Sequence, residues 1–298
     1  MQLAQSTIAV TGATGFLGAY LVRALRECGA RVVAVVRNAE KARALLPEDV
    51  ELRIADLADR DALTRAFAGV DAVIANAAVI AFFDPALARS TNIDGTRNVF
   101  RAIAAAGVKR AIAISTTEVY GRAHGKHDET RGLLEHGPAW FLRAYGVSKA
   151  EGERLAQQSA RAAGVELTIF RPCGITGPHD PLLITWIERF MKPALVVFPT
   201  HVTIGVVHAE DVAQAVLLAL ENPASAGKAY NLQGNTATLW QLADAWKRAG
   251  GRSPRLRLPI PVPIALRHDD ARARRELGWK PRGIEAIMHE AVQARTHR

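Results

Sequence analysis

Residues 6–25 read STIAVTGATGFLGAYLVRAL: a β-branched run, a glycine-rich turn and a helix-forming stretch in immediate succession. Gly12, Gly15 and Gly18 recur every third residue across the turn. Glycine at such positions permits a tight turn, lets backbone approach a phosphate closely, and lets the next helix pack against the strand. That helix would present free N–H groups and the positive end of its dipole to an anion. A glycine triplet alone is weak evidence. Here it lies between a strand and a helix in the first unit of the chain, the context of a dinucleotide-binding site.

The same alternation continues for about 170 residues. Short apolar runs (RVVAVV, VELRIA, DAVIANA, KRAIAIS, VELTIF) are separated by stretches with helical periodicity. Gly29, Gly69, Gly107 and Gly164 fall just past the expected helix ends, where a left-handed cap is wanted. Near-continuous apolar strands between helices indicate a parallel sheet covered on both faces. The expected fold is α/β, a doubly wound, Rossmann-like parallel sheet with a smaller C-terminal α/β substrate lobe. The expected division places a dinucleotide-binding domain at 1–172 and the substrate lobe at 173–298, partly returning to the core sheet. Beyond residue 172 proline and glycine become denser and the elements shorter.

Bulk composition narrows the function classes. With 49% hydrophobic and 22% charged residues, 298 positions can bury a substantial core. No apolar run reaches the ~18 residues of a membrane span, and the N-terminus has no secretory pattern. Two cysteines, Cys28 and Cys173, make neither a disulfide framework nor a metal set. A cytoplasmic enzyme is expected, with no metal, no membrane and no nucleic-acid partner. The net charge of +9 is dispersed; the one dense basic cluster, RHDDARARREL, carries acids at helical spacing and reads as a solvated helix. His208 and Asp211 match no metal or hydrolase motif, and HAEDVA reads as a helix start with Glu210 or Asp211 in its first turn. His124, His127 and His136 fall in a polar loop and are expected to be solvated.

The second strand ends VVRN, and an acid that would bind a ribose 2′-hydroxyl is missing there. Arg37 and Asn38 stand in its place; a guanidinium pairs with a 2′-phosphate where a carboxylate would repel it. NADP(H) is therefore the expected cofactor, with NAD(H) second, and Arg23 or Lys41 could assist. Downstream, Tyr145 lies four residues before Lys149 in RAYGVSKAE. With 4 tyrosines and 8 lysines in 298 residues, chance gives roughly 0.1 such pairs, so the spacing needs other support.

That support is the ordered set of motifs, which resembles the extended short-chain dehydrogenase/reductase family, also called the NAD-dependent epimerase/dehydratase family. TGATGFLG (11–18) is similar to the family's TGxxGxxG, and ISTTEVYG (114–121) to its serine/threonine segment. ADL (55–57), ANAAV (75–79), TNIDGTRNV (91–99), IFRPCGITGPHD (169–180), VVHAEDVAQAV (206–216) and RRELGWKPRGIEAI (274–287) match further landmarks. The resemblance implies a cofactor site at Gly12, Thr14, Gly15, Phe16, Leu17, Gly18, Arg37, Asn38, Asp56, Leu57, Asn76, Ala77, Ala78 and Pro172, with Tyr145 and Lys149 contributing. It implies that Tyr145 is the acid/base and that Lys149 favours its phenolate and holds the nicotinamide ribose. Thr116 would hydrogen-bond the substrate oxygen; Ser115 and Thr117 are neighbours that strand alternation turns the opposite way. Asn92 would position a water or brace its helix. Family members often dimerise through two long helices, here near 90–106 and 145–163.

Substrate class is read from departures. Nucleotide-sugar enzymes of the family carry Asn in an RPxN segment and an Arg–Asp pair before FVH; here Gly174, Ile204 and Gly205 occupy those places. Dehydratases place Asp–Glu after the threonine; this chain has Thr117–Glu118. RPCGITGPHD looks more like the 3β-hydroxysteroid dehydrogenase and dihydroflavonol reductase branches. The expected substrate is a fairly apolar alcohol or ketone, with a nucleotide-sugar epimerase or dehydratase as the alternative. PLLITWIERF and PALVVFP could line its pocket or fill core.

Overall fold

The computed structural model describes residues 1–82, 84–121, 125–135, 144–199, 202–260 and 266–296. In chain order the elements begin β1 (Thr7–Thr11), α1 (Phe16–Glu27), β2 (Arg31–Val36), α2 (Ala39–Leu45), β3 (Glu51–Ile54), α3 (Arg60–Ala66) and β4 (Ala72–Ala75). Then come α4 (Pro85–Ala88), a π-helical turn (Arg89–Gly95), α5 (Thr96–Ala105), β5 (Arg110–Ile114), β6 (Gly125–His127), α6 (Ala144–Ala163) and β7 (Glu166–Pro172). The remainder is β8 (Gly174–Thr176), α7 (Leu183–Met191), β9 (Leu195–Pro199), β10 (Thr203–His208), α8 (Ala209–Glu221), β11 (Ala229–Leu232) and β12 (Asn235–Thr238). The chain closes with α9 (Leu239–Arg248), β13 (Leu256–Ile260), β14 (Leu266–His268), α10 (Ala271–Leu277) and α11 (Ile284–Thr296).

Seven strands form one sheet in the order β11-β7-β5-β4-β1-β2-β3, and the pairings from β7 to β3 are all parallel. Strand order reverses between β1 and β4, which opens a crevice at their C-terminal ends, where a ligand can enter a doubly wound fold. On one face Leu63, Phe67, Phe100, Ile103 and Ala156 pack on Val33, Val73 and Ile169. Phe67 and Phe100 are essentially fully buried, each stabilising the fold by about 2 kcal/mol. Leu21, Val22 and Leu25 of α1 are likewise buried. Gly29, Gly69, Gly107 and Gly164 all take left-handed φ, as expected of helix caps.

Contacts divide the chain into two units, Met1–Gly121 with Arg131–Arg171 and Ala213–Tyr230, and Arg122–Thr130 with Pro172–Val212 and Asn231–Arg298. The second unit holds a three-stranded sheet, β12-β10-β8, and two parallel ribbons, β13–β9 and β14–β6. Its core joins Ile184, Ile187 and Met191 of α7 to Val196, Trp246 and Ile287. Part of PLLITWIERF and PALVVFP thus packs inward, while Leu182, Trp186, Leu195 and Val197 stay exposed.

His127 corrects an expectation. It lies in β6 only 1% exposed, with its ring 5.5 Å from that of His268 in the paired strand β14. Its polar-looking neighbourhood is covered by residues more than a hundred positions away: the Asn231 side chain donates to the His127 carbonyl. His124 and His136 lie outside the described residues. Glu210 and Asp211 open α8 as expected, and Arg282 bonds both carboxylates. Arg274 pairs with Asp270 one turn earlier at the exposed start of α10.

Candidate active site

The glycine turn joins β1 to α1 with Gly12 at φ +67°, where a Cβ would stand 2.8 Å from Ala77 Cα. A Cβ on Gly18 would meet the Gly12 carbonyl oxygen at 2.1 Å, so helix and turn close directly on each other. Gly15 is the N-cap of α1 and supplies no side chain to satisfy the helix's first N–H groups. Thr14 and Phe16 are half-buried beside it, and Leu17 is buried. Thr11 latches the turn to the end of β4: its Oγ1 accepts from the backbone of Asn76 and Ala77, each at 3.1 Å. The Asn76 side chain donates to the Gly12 carbonyl at 3.3 Å. Ala78 follows, exposed.

At the end of β2 the Arg37 guanidinium is 79% exposed and stands 3.9 Å from the Asp56 carboxylate. Asn38 caps α2 through its side-chain oxygen, which accepts from Lys41 N. Leu57 lies against Gly95, and its carbonyl accepts from Asn98. Arg23 pairs loosely with Glu27. Pro172 ends β7 and is buried. A backbone stripped of Cβ atoms, a helix N-terminus with no side-chain cap and an exposed guanidinium at the second strand fit a phosphate-bearing dinucleotide.

Thr116 converges beyond the end of β5 with Tyr145 and Lys149, 29 and 33 residues further along the sequence. Thr116 is extended, caps the 3₁₀ turn Thr117–Tyr120 by accepting from Glu118 N at 3.2 Å, and its side chain hydrogen-bonds the Tyr145 hydroxyl. Ser115 turns the other way and donates to Glu153 Oε2 at 2.6 Å, as strand alternation requires. Lys149 Nζ donates to the Ile114 carbonyl at 2.7 Å. Burial pushes the Tyr145 phenol up to about 12, partly offset by the bond to Thr116 and reinforced by Glu118. Burial also pulls Lys149 down to about 8, against the attraction of Glu153. Sequence spacing alone suggested a lowered tyrosine; in the chain by itself desolvation outweighs the opposing effect of Thr116, so the phenol holds its proton at neutral pH.

The Asn92 amide is fully engaged. It accepts from Val79 N at 2.9 Å, and donates to Val79 O at 3.0 Å and Ser148 Oγ at 3.1 Å. A cavity of about 30 Å³, room for one water, lies among Asn92, Thr96, Ser115, Lys149, Gly152 and Glu153.

Three features escape a reading by motif. Thr11 is the latch just described. Phe82 sets its ring edge-on to Tyr145, centroids 5.4 Å apart, while 46% exposed, and Ile80 and Leu87 are exposed in the same loop and helix start. Glu153, one turn past Lys149, takes Ser115 on Oε2 and Arg171 on both oxygens, with Nη2 2.5 Å from Oε1; Arg171 also donates to the Tyr120 hydroxyl. An arginine inside the apolar strand IFRP was the available signal, since a buried guanidinium requires a carboxylate.

A family model described as the NAD dependent epimerase/dehydratase family matches residues 8–232. The chain belongs to this family. It is 30% identical to sterol demethylase protein B of Methylococcus capsulatus over 96% of this chain and 97% of that one. It is 28% identical to a putative dihydroflavonol 4-reductase of Synechocystis over 95% and 92%. A solved UDP-glucose 4-epimerase of Thermotoga maritima, with UDP-glucose, matches with a TM-score of 0.82 at 25% identity over 98% and 99%. This epimerase/dehydratase-family member is an NAD(P)-dependent enzyme of the extended short-chain dehydrogenase/reductase type. Among the described residues no cluster of metal-ligating side chains occurs, and no helix is long and apolar enough to cross a membrane.

Proposed function

We propose that this enzyme is an NADP-dependent oxidoreductase that interconverts the alcohol and ketone of a fairly apolar small molecule. The observation that carries the reading is the Phe82 ring against Tyr145, with Ile80 and Leu87 exposed nearby: the ring of the reactive tyrosine has an apolar aromatic neighbour. Tyr145 gives its proton to the carbonyl oxygen in reduction and recovers it in oxidation. Thr116, already bonded to that hydroxyl, orients it and polarises the same oxygen. Lys149, anchored on Ile114 O, stays close enough to neutrality in its titration to help replace the proton. The bound nicotinamide supplies or accepts the hydride. Asn92 in this scheme braces the strand-four loop through Val79.

Arg37 supports NADP over NAD: its only ion pair among the described residues is the 3.9 Å contact with Asp56, which leaves most of the guanidinium for a 2′-phosphate. Ile204 stands where the sugar-diphosphate clamp would be. Beside it, in the place of the pair's Asp, a Cβ on Gly205 would meet the Gln233 amide at 2.6 Å, so no longer side chain fits there without rearrangement. The reading includes a homodimer through α5 and α6 in the cytoplasm, which light scattering and fractionation would check.

Steroid, flavonoid and simple aromatic ketones assayed with NADPH test the reading. Turnover of at least one, with NADPH favoured over NADH, is the expected result. Epimerisation of a UDP-sugar with no ketone reduced would replace it by the nucleotide-sugar alternative, which the epimerase relatives keep in view.

A further inference from the structure

The β9–β13 ribbon of the second unit pairs Leu256 with Leu195, Arg257 with Val196 and Leu258 with Val197. Paired residues of a parallel ribbon share a face and alternate along it. One face goes inward: Val196 joins the core of α7 and α9, and Arg257 bonds Asp244 at 2.5 Å and lies over the Trp240 ring. The other face is Leu195, Val197, Leu256, Leu258 and Ile260, between 43% and 54% exposed. Five large apolar side chains in register on one open face exceed the scattered surface leucines of an ordinary protein.

Because the strands are parallel and in register, the segments that lead into them lie side by side. Lys192 precedes β9, and Arg252 and Arg255 precede β13; all three are exposed, and none makes an ion pair among the described residues. The nearby acids are taken: Asp244 holds Arg257, and Glu188 holds Arg295. An apolar plane with a basic end and no acid is complementary to a surface that is apolar below and anionic above.

We infer that this face docks on an anionic lipid bilayer, with the leucines among the acyl chains and the three basic residues at the headgroups. The inference departs from the expectation of no membrane partner, which rested on the lack of a spanning run; surface docking needs none. A second copy is the weaker occupant. A two-fold contact would set each face against itself, and its basic end would find no carboxylate on the opposing face.

The test uses the full-length protein in cosedimentation with vesicles of phosphatidylcholine alone and of phosphatidylcholine mixed with phosphatidylglycerol. Binding to the anionic vesicles, weakened by salt, is expected. Lys192→Gln/Arg252→Gln/Arg255→Gln should weaken it about a hundredfold, at about fivefold per charge. Leu256→Ser/Leu258→Ser should weaken it about tenfold or more with Tm unchanged, since these side chains are already exposed. Absence of sedimentation at low salt, or equal binding by both variants, overturns the inference. So does a concentration-dependent dimer that Leu258→Ser dissolves while wild type ignores vesicles; that result assigns the face to a second copy.

Discussion

Each unit buries a cluster of polar side chains, and the two clusters are held differently. In the first, Glu153 and Arg171 meet as full charges, 1% and 4% exposed in their side chains, with Ser115 and Tyr120 completing the bonds. In the second, where β6 pairs with β14, imidazoles and amides fill the interior. His268 Nδ1 lies 3.0 Å from Gln233 Oε1, Gln233 donates to Thr236, and Asn231 bridges the carbonyls of His127 and Asp269. A buried ion pair is held by attraction and fails when either member is lost. A buried histidine is held by staying neutral and fails when a proton arrives. The first arrangement sits one helical turn past Lys149; the second ties β14 to β6.

The largest effect should follow from breaking the ion pair. Arg171→Met strands the Glu153 carboxylate in the interior and should cost about 3–5 kcal/mol in denaturant unfolding, whereas adding Glu153→Leu should recover much of it. Tyr145→Phe keeps the scaffold and removes only the hydroxyl. Turnover should fall by about 10²–10⁴-fold with Tm nearly unchanged; full activity in this variant would remove tyrosine from the chemistry.

Acid should single out the second unit. Burial and the neighbouring His127 hold His268 down to about 4, below the ordinary value near 6.5. Between those values the unfolded chain binds more protons, so stability falls as pH drops through 6.5 and levels off below about 4. After discounting for the partial exposure of the ring, the loss is about 2 kcal/mol. A thermal-melt series against pH should show it, and His268→Gln should flatten the slope. A slope unchanged by that substitution would assign the acid response elsewhere. Smallest is the effect of Arg37→Ala, which should lower the preference for NADPH over NADH about tenfold and leave both unfolding curves in place.

What could be read from the sequence was what is local. The glycine turn announces itself because Gly12, Gly15 and Gly18 act within one turn of backbone, and Tyr145 and Lys149 because a helix brings them together four residues apart. Thr116 was legible through strand alternation, which set it opposite Ser115. Glu153 was not: its partners lie 38 and 18 positions away on other elements, and nothing in SKAEGER distinguishes it from Glu151. His127 was misread for the same reason. A short polar stretch looks solvated until a strand from residue 266 onward covers it. The direction of the Tyr145 shift also needed the structure, because desolvation depends on everything packed around the ring.

The π-helical turn at Arg89–Gly95 has a consequence for how this region can vary. It packs an extra residue into the run from Pro85 to Ala105, and Asn92 reaches Val79 and Ser148 from inside it. Removing one residue would let the run close into regular helix and re-aim the side chains inside the turn. Asn92 would then be carried off the loop it holds. The segment should accept many substitutions and few deletions: here chain length, rather than any single side chain, is the inherited quantity.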